Sequence, residues 1–189
     1  MLGVDPGSLR TGWAVVDLRA DGATDHVDNG VICSPEASPL ASRLVRIAAG
    51  LAAVVAQHRP SICSMETAYH SKNARSALVL GQARGAALVT VAQAGLEVVE
   101  YGPMQVKLAV TGHGRASKEA VQHLVATLMR LPEVAQQDAS DAVALALAHA
   151  FVLRRPAAIT AALRAGPSRR AKKGTRRAWE DVLKARGVV

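Results

Sequence analysis

The order in which apolar patterns change period along the chain narrows the fold most. Residues 2–4, 11–18 and 24–32 read as strands on short links, with a turn at Ala20-Asp21-Gly22, which predicts an antiparallel meander. From residue 38 the period becomes helical: "SPLASRLVRIAAGLAAVVAQHRP" spaces Leu40, Leu44, Ile47, Leu51, Val54 and Val55 on one face, with Ser38 as N-cap and Pro60 past the end. "SICSME" (61–66) is a short strand, residues 72–95 a long helix, and "LEVVEY" (96–101) another strand. Helices near 103–110 and 117–130 precede a last one over 138–153. Strands alternating with helices predict a parallel half-sheet joined to the meander, an α/β fold. Gly81 and Gly85, one turn apart with Ala77 on the same face, are expected to let the long helix approach the sheet closely.

Such a sheet needs a core, and composition says what it is made of. Half of the 189 residues are hydrophobic but only five are Phe, Trp or Tyr, so Ala, Val and Leu must supply the packing. No apolar run is expected to reach the roughly 18 residues of a membrane span, and a cytosolic protein is expected. Cys33 and Cys63 have no C-x-x-C partner and are expected as buried, reduced thiols. The net charge of +8 is unevenly spread: residues 154–189 hold eleven Arg or Lys against Glu180 and Asp181, a surplus of +9, whereas residues 1–153 sum to −1. The chain divides accordingly into a domain at 1–153 and a basic linker and tail at 154–189. The tail is expected to be largely disordered, with Trp179, Val182 and Leu183 aligned on one short helix at 175–186. A basic tail on a near-neutral body points to a polyanion, most often nucleic acid.

Four acids stand where elements begin or end. Asp5 closes the first strand in "LGVDPGS", Glu66 closes the fourth, and Asp138 and Asp141 open the last helix in "QQDASDAVALAL", on one face at i and i+3. Each has a local explanation: a turn residue for Asp5, a solvated strand end for Glu66, helix capping for the pair. Together they suggest more, because the ends of adjacent parallel strands share one edge of an open α/β sheet. Carboxylates converging to about 5 Å would repel by roughly 3 kcal/mol per pair at an effective dielectric near 20, a load that only a cation relieves. An all-oxygen donor set suits Mg²⁺ or Mn²⁺. Two such ions about 3.5–4 Å apart would activate a water and stabilise the leaving 3′-oxygen of a phosphodiester.

The blocks "GVDPGSLRTGWAVV", "METAYHSKNARSALVLGQARGAAL", "VKLAVTGHGRASKEAVQHLV" and "LPEVAQQDASDAVALALAHA" resemble, in order and spacing over about residues 2–153, the RuvC-type Holliday junction resolvases of bacteria. That resemblance implies an RNase H-like fold, a five-stranded mixed sheet flanked by helices, and a homodimer. It implies Asp5, Glu66, Asp138 and Asp141 as ligands of two Mg²⁺ ions, with Mn²⁺ as a substitute. By the same resemblance Lys107 and Lys118 face the scissile phosphate, Tyr69 stacks on an unpaired base, and Lys72, Arg75 and Arg115 contact DNA. The implied activity is symmetric cleavage of four-way DNA junctions in recombination and repair, in concert with a branch-migration motor. Two other readings stay open: an RNase H-like nuclease acting on another substrate, and a junction-binding architectural protein whose acids serve folding alone. Only Met1 precedes Leu2, so the first strand is expected to be short.

Overall fold

Three strands pair in sequence: β1 (Leu2–Asp5), β2 (Arg10–Leu18) and β3 (Thr24–Cys33), each antiparallel to the next. The computed structural model describes residues 1–67, 73–131 and 137–154, with backbone alone for Gln137 and Asp138. The β2–β3 turn is the expected one: Gly22 has a φ of 83°, a region that favours glycine, and the Ala23 amide donates to Asp21 Oδ1 at 2.9 Å. Helix α1 (Leu40–His58) then leads to β4 (Ile62–Glu66), and α2 (Ala74–Gln93) to β5 (Glu97–Tyr101). β4 lies parallel to β1, and β5 parallel to β4, giving the order β3-β2-β1-β4-β5. This is the mixed five-stranded sheet expected. β1 is only four residues long but central, paired on both sides.

Alternation along the strands makes two cores. Leu2, Val4 and Val15 with Cys63 and Met65 face α1 and α2, where Ile47, Leu51, Ala83, Ala87 and Val91 seal one side. Ala14, Val16, Val99 and Tyr101 face the other side. There α3 (Pro103–Thr111), α4 (Lys118–Met129) and α5 (Gln137–Leu153) pack, with Val143, Ala146 and Leu147 at the centre. Small residues do allow one close approach, at Gly3: a Cβ there would run into the Ala142 carbonyl oxygen and lie 2.8 Å from the Ala146 amide. Tyr101 donates or accepts a 2.7 Å bond with His149 Nδ1 inside this core, so both polar groups are paired where water is excluded.

Several expectations fail, for local reasons. Among the described residues Gly81 and Gly85 meet nothing within 4 Å at the Cβ position, so they face away from the sheet and do not mediate its packing; Ala83 and Ala87 do. Ser38 is not the cap of α1. Pro39 holds that position without a side-chain bond, while Ser38 donates its amide to the Pro35 carbonyl in a preceding turn. Cys33 ends an edge strand and is exposed, although Cys63 is buried, its thiol pushed by burial up to about 12. Helix α1 is long and apolar enough, by length and composition, to cross a membrane, which the expectation had denied to every stretch. Its Ile47, Leu51 and Val54 seat against the sheet, the behaviour of an Ala- and Val-rich helix packed on one side. The tail helix at 175–186 lies outside the described residues.

Candidate active site

Side-chain alternation that buries Val4 toward α1 and α2 turns Asp5 to the opposite face, and burial of Met65 does the same for Glu66. Val4 and Met65 are register partners in the parallel β1–β4 ladder, so the two acids that follow them leave adjacent strands side by side. The turn after Asp5 is fixed by Thr11, fully buried, whose hydroxyl donates to the Gly7 carbonyl at 2.7 Å and accepts from its amide. β4 is tied at its end by the Thr67 amide, which donates to the Tyr101 carbonyl at 3.0 Å.

A cavity of about 320 Å³ opens at this edge, lined by Asp5, Glu66, Lys107, Lys118 and Asp141 above apolar walls from Val106, Val121 and Leu145. α5 delivers Asp141 from its first turns, α3 delivers Lys107 and α4 delivers Lys118. The Ser117 side chain caps α4 by accepting from the Ala120 amide, so Lys118 sits at a defined helix start. Its Nζ donates to Asp141 Oδ2 at 2.7 Å. Burial, reinforced by the charge of Asp5, a hydrogen bond with Asp5 and the charge of Asp141, pushes the Glu66 carboxyl up to about 7. Lys118 pulls in the other direction. Glu66 therefore senses both of the other acids.

Five of the ten expected site residues come together here: Asp5, Glu66, Asp141, Lys107 and Lys118. Arg75 and Arg115 are exposed, on α2 and on the loop before α4 respectively, and neither lines the cavity. Tyr69 and Lys72 lie outside the described residues, as does the Asp138 side chain. The chemistry of this donor set suits a hard divalent cation, all anionic oxygen in a partly buried site where like charges already oppose one another. Among the described residues no three His, Cys, Asp or Glu side chains are spaced to chelate an ion as they stand, and Asp138 is not among those.

The comparisons with known proteins meet this geometry. Residues 1–149 match the family model described as crossover junction endodeoxyribonuclease RuvC. The chain belongs to the RuvC family. It is 49% identical over 150 residues to the crossover junction endodeoxyribonuclease RuvC of Citrifermentans bemidjiense, covering 79% of this chain and 91% of that protein. Against the RuvC of Chromohalobacter salexigens it is 45% identical over 182 residues, 96% of this chain and 93% of the relative. The second alignment extends beyond residue 153, farther than the resemblance read from the motifs. Among solved structures, Thermus thermophilus RuvC in complex with a Holliday junction substrate superposes with a TM-score of 0.76 at 35% identity, covering 81% of this chain and 93% of that one. A yeast mitochondrial Holliday junction resolvase shares the fold at a TM-score of 0.57 and 12% identity. The sheet order and its flanking helices are those of this RNase H-like family.

Proposed function

We propose that this chain is a structure-selective endonuclease that resolves four-way DNA junctions by metal-dependent phosphodiester hydrolysis. The observation that carries the reading is the convergence of Asp5, Glu66 and Asp141 on one cavity with Lys107 and Lys118, in a chain of the RuvC family. Asp5, Glu66, Asp138 and Asp141 would hold two Mg²⁺ ions, with Mn²⁺ as a substitute. Bound, these cations supply the Lewis acidity that generates a nucleophilic water and stabilises the leaving 3′-oxygen. The two lysines answer charge on the phosphate as it develops. Lys118, already paired with Asp141, also favours ionisation of Glu66 and so keeps a donor available near neutrality. Arg75 and Arg115, both exposed, with Lys72, would hold backbone phosphates, and Tyr69 would stack on an unpaired base.

Symmetric cutting needs two copies of the site, and the outer face of α2 supports a homodimer. Leu78, Gly81, Gly85 and Val89 form one stripe there; Leu78 is 64% and Val89 53% exposed, and neither glycine has a neighbour at its Cβ position among the described residues. Bare backbone between two apolar side chains is a surface a second helix can approach closely. The 154–189 tail, beyond the 1–153 domain, would add sequence-independent affinity for DNA through its surplus of positive charge.

Incubation with a synthetic immobile four-way junction, a linear duplex and an RNA–DNA hybrid tests the reading. Paired, symmetric incisions in the junction are expected with Mg²⁺ and none with EDTA. Asp5→Asn is expected to bind the junction and lose at least about a hundredfold in cleavage rate. A parent that binds the junction without cutting it, and that Asp5→Asn leaves unchanged, would be an architectural binder, and preferential cutting of the hybrid would change the substrate.

A further inference from the structure

Arg84 touches Glu66 from the side of the sheet opposite the cavity. It sits on α2 between the core residues Ala83 and Ala87, its side chain only 17% exposed. A guanidinium so far out of water needs fixed partners. Its Nε donates to the backbone carbonyl of Glu66 at 3.1 Å, and its Nη2 pairs with the Glu100 carboxylate. In the β4–β5 register Met65 lies opposite Glu100 and Glu66 opposite Tyr101, so the guanidinium spans the last two rungs of the ladder. Its two partners are a backbone atom of the cavity acid and a side chain of the neighbouring strand.

We infer that Arg84 is a positioning residue for Glu66: it braces the end of β4 against β5, fixing where the Glu66 carboxylate enters the cavity. The inference rests on the nuclease reading above and adds to it a residue that need not touch substrate. Direction matters here. The planar fork of arginine satisfies two acceptors at once, whereas a lysine ammonium reaches one acceptor well or both poorly. Without the brace, the strand end keeps its backbone bond from Thr67 to Tyr101 but loses its side-chain tie to β5, and its carboxylate can shift. A displacement of about 1 Å costs on the order of a hundredfold in rate, and groups that orient metal ligands are typically worth about 10- to 100-fold.

The test uses the full chain with Arg84→Met, Arg84→Lys and Glu100→Gln, beside the parent and Asp5→Asn. Three quantities are read: single-turnover junction cleavage, junction Kd in EDTA, and the Mn²⁺ midpoint in a thermal-shift titration. Arg84→Met is expected to cut about 10- to 100-fold more slowly, with Kd within about twofold and a higher Mn²⁺ midpoint. Arg84→Lys should recover part of that loss, and Glu100→Gln, which keeps the bond to Glu66, should lose only a few-fold in rate, roughly. Parent-like cleavage and Mn²⁺ midpoint in Arg84→Met overturn the inference, and so does a loss confined to Kd. If Arg84→Met does not fold, unchanged cleavage and an unchanged Mn²⁺ midpoint in Glu100→Gln overturn it equally. A parent that fails to cut junctions sinks the nuclease reading alone, because the Mn²⁺ titration still reports whether Arg84 shapes the site.

Discussion

Glu66 shares its cavity with two other acids, and pH reads the consequence. Its carboxyl is raised from 4.5 to about 7, by burial first and then by Asp5 and Asp141, so the folded protein binds a proton there that the unfolded chain releases. The protonated form therefore stabilises the fold below about pH 4.5, and that contribution is lost as pH rises through about 7. In EDTA, the Tm of the parent is expected to fall across this window more steeply than that of Glu66→Gln; parallel curves would contradict the assignment. Cleavage at fixed, subsaturating Mg²⁺ should rise over the same interval, because a proton and a cation compete for one carboxylate. Lys118→Met should move the midpoint of that rise upward, since the ammonium favours the ionised acid. At this scale Asp5, Glu66 and Asp141, which meet at the cavity, were readable as candidates from their positions at strand and helix ends. Arg84 was not: an arginine within an apolar helix gives no local sign that its partner is a carbonyl eighteen residues away.

α5 and α2 make opposite use of small residues. Against β1, Gly3 and Ala142 bring backbone to backbone, and Gly3→Ala has no space to fill. The substitution is expected to destabilise by about 3 kcal/mol, measured by urea or thermal unfolding, with wild-type stability as the contrary result. On α2 the glycines face outward, so a bulky or charged residue on that stripe should leave the fold intact and disturb association. Leu78→Glu is expected to convert a dimer to a monomer in analytical ultracentrifugation and to replace paired incisions with single nicks. The sequence placed both helices along the chain, yet α2's weak amphipathicity did not tell its inner from its outer face. Ala83 and Ala87 look no different from Gly81 and Gly85 until the sheet is placed.

Across the whole molecule, the mixed sheet is what gathers the site. The meander sets β1 in the middle, the crossover through α1 lays β4 beside it, and α5 returns over both, so residues 5, 66 and 141 meet at one edge. The positive surplus lies elsewhere along the chain, after residue 153. If the tail makes about six phosphate contacts, log K for junction binding should fall against log salt with a slope near −5. Deleting residues 156–189 is expected to flatten that slope while cleavage persists at low salt; an unchanged slope would deny the tail a role in binding DNA.

Local pattern alone was enough for the order of strands and helices, the Ala- and Val-rich makeup of the core, the four candidate acids and the segregation of charge. All of these are recorded in local periodicity and residue type. The folded arrangement settled which acids confront one another, that burial beside Asp5 and Asp141 raises the Glu66 carboxyl, which side of α2 the other described residues leave exposed, and that Cys33 is exposed. Those properties depend on distances through space between segments far apart in the chain, and they come into being only when the strands pair and the helices close over them.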